Sequence, residues 1–82
     1  MNDSGAEAIL DLRGLACPLP VLKARKALAR LAPSAVLIVE TTDPMAAIDI
    51  PHLCREEGHR LLAEDAAGEV RRFRIERGRS PA

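Results

Sequence analysis

The sequence predicts an α/β (α+β) domain with the element order β-α-β-α-β-β, in which one four-stranded mixed sheet carries both helices on one face. Three observations predict it. Short strand-like segments alternate with two stretches of helical apolar spacing, two strand-like segments at the end flank a glycine turn, and 82 residues allow only one core. A two-layer packing is the economical way to cover the apolar faces of such elements. We therefore expect a single domain over residues 1–82 with an ordered core over about residues 8–78.

The first strand is predicted over residues 8–13, where Leu10 and Leu12 alternate with charged residues. Gly14 breaks this strand and opens a turn. The first helix is predicted over residues 18–31, because its apolar residues recur at helical spacing. The residues of this apolar stripe are Val21, Ala24, Leu28 and Leu31.

The second strand is predicted over residues 36–41, which form an almost continuous apolar run. The second helix follows, and we expect Asp43 as its N-cap with Pro44 at the first helical position. Pro51 lies inside this helix, where its ring and missing N–H oppose regular helix geometry. We therefore expect either a kink or a short first turn and a restart capped by Asp49.

The second helix is predicted to end at residues 57–58, because a glycine there suits a helix C-terminus. The third and fourth strands are predicted over residues 60–64 and 69–77, joined as a hairpin through residues 66–68. In the fourth strand, Phe73 lies on the apolar face while charged residues alternate to the other face.

The connectivity predicts which turns meet in space. A β-α-β connection within one sheet is almost always right-handed and makes its two strands parallel. The turn that leaves the first strand and the turn that leaves the second then lie at the same edge, where ligands of open α/β sheets bind. We therefore expect Cys17 to lie next to the turn formed by residues 41–43.

The segment around Cys17 is the candidate functional site. After the turn at Gly14, the cysteine precedes Pro18, and proline suits the first helical position. With Cys17 as N-cap, Pro18 and Pro20 carry no N–H, so the amides of Cys17 and Leu19 would face the sulfur. A helix N-terminus favours an anion and lowers a cysteine pKa, so we expect a reactive thiol. The alternative is a buried, inert cysteine.

The second cysteine of a Cys-x-x-Cys redox pair is missing, since Pro20 stands at its position. A thiol without a resolving partner suits holding and passing on a group better than cycling disulfides. A thiol–disulfide oxidoreductase would have to use Cys17 and Cys54, and a structural role for Cys54 is the stronger interpretation. Neither His52 nor His59 forms a metal-ligand spacing with Cys54, so we expect no metal. We expect no cofactor either, because S–S exchange at a thiol needs none.

Composition excludes several classes of function. The apolar content of 48% and charged content of 29% are typical of a globular domain, and 12 basic residues balance 12 acidic ones. Phe73 is the only aromatic residue, which counts against direct nucleic-acid binding by base stacking. Residues 1–7 lack the features of a signal peptide, and no apolar run is long enough to cross a membrane. We expect a cytoplasmic protein.

Residues 12–39 contain five basic and no acidic residues. Three of them share one face of the first helix, and we call Lys23, Lys26 and Arg30 the α1 basic cluster. An ordinary solvated helix face is one interpretation. The other is a partner-binding surface that also includes Arg13 and that attracts acidic protein surfaces to the thiol.

The segment at residues 12–20, Leu-Arg-Gly-Leu-Ala-Cys-Pro-Leu-Pro, resembles the TusA/SirA-like family of small sulfur-carrier proteins. The likeness spans residues 9–78 and includes the segments at residues 42–44, 49–51 and 58–59. Two positions differ from what the family often has: Ser34 stands in place of a glycine, and Thr42 in place of the first of two acids. The second difference weakens the transfer of an acidic pair to this edge.

The resemblance implies a two-layer βαβαββ sandwich, similar to the C-terminal domain of a bacterial translation initiation factor. It also implies that Cys17 carries sulfur as a persulfide, from a cysteine desulfurase or other persulfide donor to a downstream acceptor protein. The pathways would be tRNA 2-thiouridine synthesis, molybdenum cofactor assembly, sulfur oxidation or selenium metabolism. A monomer is the simplest state for such a carrier. The residues expected to support the thiol are Gly14, Pro18, Leu19, Pro20 and Asp43.

A function from another class is also open. The basic first helix and the initiation-factor-like fold suit a non-catalytic regulatory or nucleic-acid-binding module. Its binding would be sensitive to salt, would survive Cys17→Ser and would fall on neutralising the α1 basic cluster.

Overall fold

The computed structural model of the chain describes residues 7–79, which form four strands and two helices in the predicted order. The strands are β1 (Glu7–Leu12), β2 (Val36–Thr41), β3 (Arg60–Ala67) and β4 (Val70–Glu76), and the helices are α1 (Leu19–Arg30) and α2 (Ala46–Glu57). The predictions for residues 1–6 and 80–82 lie outside the described residues.

The strands form one mixed sheet in the order β1-β2-β4-β3. β1 and β2 are parallel, with Leu12 opposite Thr41, whereas β4 is antiparallel to both β2 and β3. The predicted fold class and the parallel pairing of the first two strands are confirmed. Because β1 and β2 are parallel, the loops that leave Leu12 and Thr41 start at the same edge of the sheet.

Both helices pack on the same face of the sheet around one core. Alternate residues of β2 and β4 point into this core, which explains why Val39 and Phe73 are fully buried while their charged neighbours are not. Helix α1 contributes Ala24 and Leu28 of its predicted apolar stripe. The eleven buried apolar residues of this single cluster are Leu12, Ala24, Leu28, Leu37, Val39, Ala46, Ile50, Leu53, Cys54, Phe73 and Ile75.

Helix α2 is uninterrupted from Ala46 to Glu57 although Pro51 lies inside it. The predicted restart at Asp49 is therefore wrong: Asp49 lies in the first turn of a continuous helix. The start of the helix also differs, because Met45 and not Asp43 is its N-cap. The predicted end is confirmed, since Gly58 adopts a left-handed φ of 77° and its amide donates to the Cys54 carbonyl.

The last hairpin is longer than the sequence predicts. Strand β3 extends to Ala67, with a register irregularity between Leu61 and Ala63, and β4 begins at Val70. The turn is therefore the two residues between Ala67 and Val70, and its glycine has a φ of +63°. Apolar periodicity does not reveal this extension, because most residues of β3 are exposed.

Candidate functional site

Gly14 joins the two loops at the carboxyl edge of β1 and β2. Its φ of +86° turns the chain sharply after β1, a conformation that glycine adopts without steric cost. The turn is closed by the Leu15 amide, which donates to the Leu12 carbonyl at 3.2 Å. The Gly14 amide donates to Thr42 Oγ1 at 2.9 Å, which ties the first loop to the turn after β2. The predicted proximity of these two turns is confirmed, whereas the sequence analysis did not foresee that the Thr42 hydroxyl accepts the bond that joins them.

Cys17 lies on this loop with its side chain exposed to solvent. The Cys17–Pro18 peptide bond is cis, and the N-cap of α1 is Pro18, with Pro20 at the second helical position. The prediction that Cys17 is the N-cap is therefore wrong by one residue. The Leu19 amide donates to the Ala16 carbonyl at 2.9 Å, so it does not face the sulfur as predicted.

Asp49 of α2 lies next to the thiol. The Cys17 Sγ donates a hydrogen bond to Asp49 Oδ2 over 3.6 Å. Local desolvation, followed by this hydrogen bond and by the negative charges of Asp49 and Asp43, raises the pKa of the Cys17 thiol above its ordinary value. The predicted lowering of this pKa is therefore wrong, because the thiol is locally desolvated and because Asp49 of α2 and Asp43 of the turn before it lie near the sulfur, although both are far from Cys17 in the sequence.

Asp43 supports the turn between β2 and α2. Its Oδ1 accepts a hydrogen bond from the Met45 amide at 3.4 Å, and its own amide donates to Thr41 Oγ1 at 3.1 Å. The Ala46 amide donates to the Asp43 carbonyl at 3.0 Å. Asp43 therefore caps the turn that precedes α2. Its Oδ2 is buried and has no hydrogen-bond partner in the described part of the chain.

The predicted basic residues occupy two different environments. Arg13 forms a salt bridge with Asp11 of β1: its Nε lies 2.8 Å from Asp11 Oδ1, and its Nη2 lies 2.9 Å from Asp11 Oδ2. The guanidinium is therefore already paired at the end of β1. This pairing lowers the pKa of Asp11 to about 2. The α1 basic cluster lines a cavity of about 260 Å³ together with Leu10 and Ala27. This cavity lies between α1 and the edge strand β1.

The helix beginnings expose large apolar side chains. Leu19 and Leu22 in the first turns of α1, and Met45 and Ile48 at the start of α2, are between 44% and 64% exposed. Neighbouring apolar side chains on a surface typically mark a site where another protein binds. This end of the molecule therefore offers the thiol together with apolar surface.

Cys54 is a core residue on α2, and it is 2% exposed. Burial raises the pKa of its thiol to about 11, which keeps it protonated at neutral pH. These properties support the structural interpretation of Cys54. Within residues 7–79, no group of three or more His, Cys, Asp and Glu side chains could hold a metal ion, and neither helix is long and apolar enough to cross a membrane.

Comparisons with known proteins agree with this fold. The family described as Sulfurtransferase TusA matches residues 8–77. The chain is 34% identical over 73 residues to YrkI of Bacillus subtilis (strain 168), and this alignment covers 89% of this chain and 97% of YrkI. It is 45% identical over 60 residues to the sulfur carrier protein TusA of Pseudomonas syringae pv. tomato, which covers 73% of this chain and 71% of that protein.

A solved structure has the same architecture. The SirA-like protein of Desulfitobacterium hafniense superposes with a TM-score of 0.77 at 25% sequence identity, over 87% of this chain and 97% of the other. The match of the family to residues 8–77 includes every element from α1 to β4 and all but the first residue of β1. The chain belongs to the sulfurtransferase TusA family.

Proposed function

We propose that the protein is a sulfur carrier that accepts sulfur as a persulfide on Cys17 from a donor such as a cysteine desulfurase and relays it to an acceptor protein. The acceptor belongs to tRNA 2-thiouridine synthesis, molybdenum cofactor assembly or sulfur oxidation. The relay takes place in the cytoplasm, where thiols stay reduced. Membership of the TusA family supports the proposal, as does the name of the Pseudomonas syringae relative.

The observation that carries the proposal is the exposure of Cys17. Its thiol stands on a loop at the carboxyl edge of the sheet, whereas Cys54 is sealed in the core. A carrier must present one sulfur to two partners in turn, and an exposed loop between rigid elements allows this. Exposed apolar side chains at the starts of α1 and α2 supply surface for transient protein contact.

The transfer balances without an oxidant or a cofactor. The Cys17 thiol loses its proton, and the thiolate attacks the outer sulfur of the donor persulfide. A new S–S bond forms at Cys17 while the donor S–S bond breaks, and the donor cysteine leaves as a thiolate that takes up a proton. An acceptor thiolate then attacks the outer sulfur on Cys17 in the same way and regenerates the Cys17 thiol.

Mass spectrometry of the intact protein tests the loading step. After incubation with a cysteine desulfurase and L-cysteine, the wild-type protein is expected to gain the mass of one sulfur atom. The Cys54→Ser variant is the matched control and is expected to load in the same way, whereas Cys17→Ser is expected not to load. Equal loading of the Cys17→Ser variant would refute the proposal.

A further inference from the structure

Asp49 and Cys17 meet although 32 residues separate them in the chain. Asp49 lies in the first turn of α2, and its half-buried carboxylate accepts the thiol hydrogen bond over 3.6 Å. Within residues 7–79, the Asp49 carboxylate has no side-chain partner other than this thiol. The carboxylate therefore stabilises the neutral thiol and opposes a negative charge on the same sulfur.

No cation within the described residues balances this carboxylate. Arg13 is paired with Asp11 at the end of β1, and His52, one turn further along α2, faces Glu56 at 3.5 Å. The second charge that reaches Cys17 is that of Asp43, which is also negative. The surroundings of the thiol are therefore acidic, although α1 beside it is basic.

We propose that Asp49 is a specificity-determining residue: its carboxylate disfavours the Cys17 thiolate in the unbound carrier until a partner protein places a lysine or arginine against that carboxylate. This inference rests on the proposed function and adds the kind of partner surface that the site accepts. Charge complementarity supports the cation, because a positive side chain would compensate the otherwise unbalanced carboxylate.

The chemistry of both transfer steps depends on the same charge. During loading, the Cys17 proton must leave before the sulfur can attack, and a neighbouring carboxylate makes this less favourable. During delivery, the Cys17 sulfur is the leaving group, and the same carboxylate opposes its negative charge. A cation paired with Asp49 favours both steps, because it compensates the negative charge that opposes the Cys17 thiolate. The S–S bonds that are made and broken stay the same. Polysulfides that carry no cation therefore load the free carrier slowly, and small thiols that carry no cation remove sulfur from the loaded carrier slowly.

Alkylation of Cys17 by iodoacetamide tests the first half of the proposal, with the modified residue identified by peptide mass spectrometry. Asp49→Asn is expected to react about fivefold faster at pH 7, the effect of removing one screened unit charge beside the sulfur. Asp49→Lys is expected to react faster still, and both variants shift the pH profile of the reaction downward. Glu56→Gln removes one charge from the same helix about 10 Å away and is expected to match wild type.

Asp49→Glu keeps the charge and is expected to retain the slow reaction of the wild type. Thermal unfolding of each variant establishes that it is folded before its rate is compared. An Asp49→Asn pH profile that coincides with that of Glu56→Gln and of wild type overturns the proposal, because the carboxylate then has no effect on the thiol.

Sulfur loading from two sources tests the role of the partner. The ratio of the loading rate by a cysteine desulfurase with L-cysteine to the loading rate by inorganic polysulfide measures discrimination. Asp49→Asn is expected to lower this ratio about fivefold, because loading by polysulfide becomes faster once the carboxylate no longer opposes the Cys17 thiolate. An unchanged ratio overturns the requirement for a cation. If the desulfurase fails to load even the wild-type protein, the proposed relay fails with that donor, while the alkylation result still decides whether Asp49 restrains the thiol.

Discussion

Replacing Ser34 by glycine is expected to stabilise the protein. Ser34 lies in the turn between α1 and β2 with a φ of 75°, in the left-handed region that favours glycine. Two backbone hydrogen bonds hold this turn against the chain after β4: the Ser34 amide donates to the Arg77 carbonyl at 2.9 Å, and the Arg77 amide donates to the Ala35 carbonyl at 2.8 Å. The side chain is exposed, so the substitution removes no core packing.

Two opposing terms set the magnitude. A left-handed conformation costs a residue with a Cβ about 1–2 kcal/mol. Glycine loses more conformational entropy on folding, which costs about 0.5–1 kcal/mol. The difference leaves about 0.5–1 kcal/mol in favour of Ser34→Gly, which corresponds to a rise in Tm of about 2–8 °C for a domain of this size.

Thermal unfolding followed by circular dichroism, together with urea denaturation, measures the effect. Ser34→Ala is the matched control, because it removes the hydroxyl but keeps the Cβ at the same φ, and it is expected to leave Tm close to that of wild type. A Ser34→Gly protein that unfolds at or below the Tm of Ser34→Ala would show that the Cβ carries no conformational cost at this turn.

Two further predictions concern pH and charge. The Nδ1 of His59 accepts a hydrogen bond from the Gly78 amide at 2.9 Å, and burial, followed by the charge of Arg77, lowers the pKa of His59. The contribution of His59 to the free energy of unfolding is therefore present above the ordinary pKa of about 6.5 and is lost as the pH falls through the lower folded-state value. Urea denaturation between pH 7.5 and 5 should show this decline. If the free energy of unfolding of His59→Asn falls just as steeply with pH, the assignment to His59 is contradicted. Changing all three residues of the α1 basic cluster to glutamine is expected to slow loading by a cysteine desulfurase more than loading by inorganic polysulfide, and to weaken the salt dependence of the desulfurase reaction. An equal loss with both sulfur sources would contradict a docking role.

The fold is predictable from the sequence because its signals are local and repeated. Alternation in β4 places Phe73 in the core, and helical spacing in α1 does the same for Leu28. Gly14 and Gly58 mark the ends of elements because their positive φ values suit glycine. The element boundaries are less predictable. Helix α2 passes through Pro51 without the expected restart, and Ile50 and Leu53, which lie before and after Pro51 in the sequence, are both buried in the core.

The candidate site is predictable only in part. The motif identifies Cys17, and the parallel strands explain why its loop contacts Thr42. The environment of the thiol is not predictable from the motif, because it depends on the rotation of α2 about its own axis. That rotation follows from burying Ile50, and it places the preceding residue, Asp49, beside the sulfur.

The sequence by itself determined the order of the elements, the apolar faces of α1 and β4 and the place of Cys17 before α1, because all three follow from local periodicity and from glycine and proline. Only the tertiary structure decided which charged groups surround the Cys17 sulfur. A helix that begins 29 residues after Cys17 brings the carboxylate of Asp49 against the thiol, and this contact adds to the local desolvation that raises the pKa of Cys17. Side chains so far apart in the chain become neighbours only when the whole sheet and both helices are assembled.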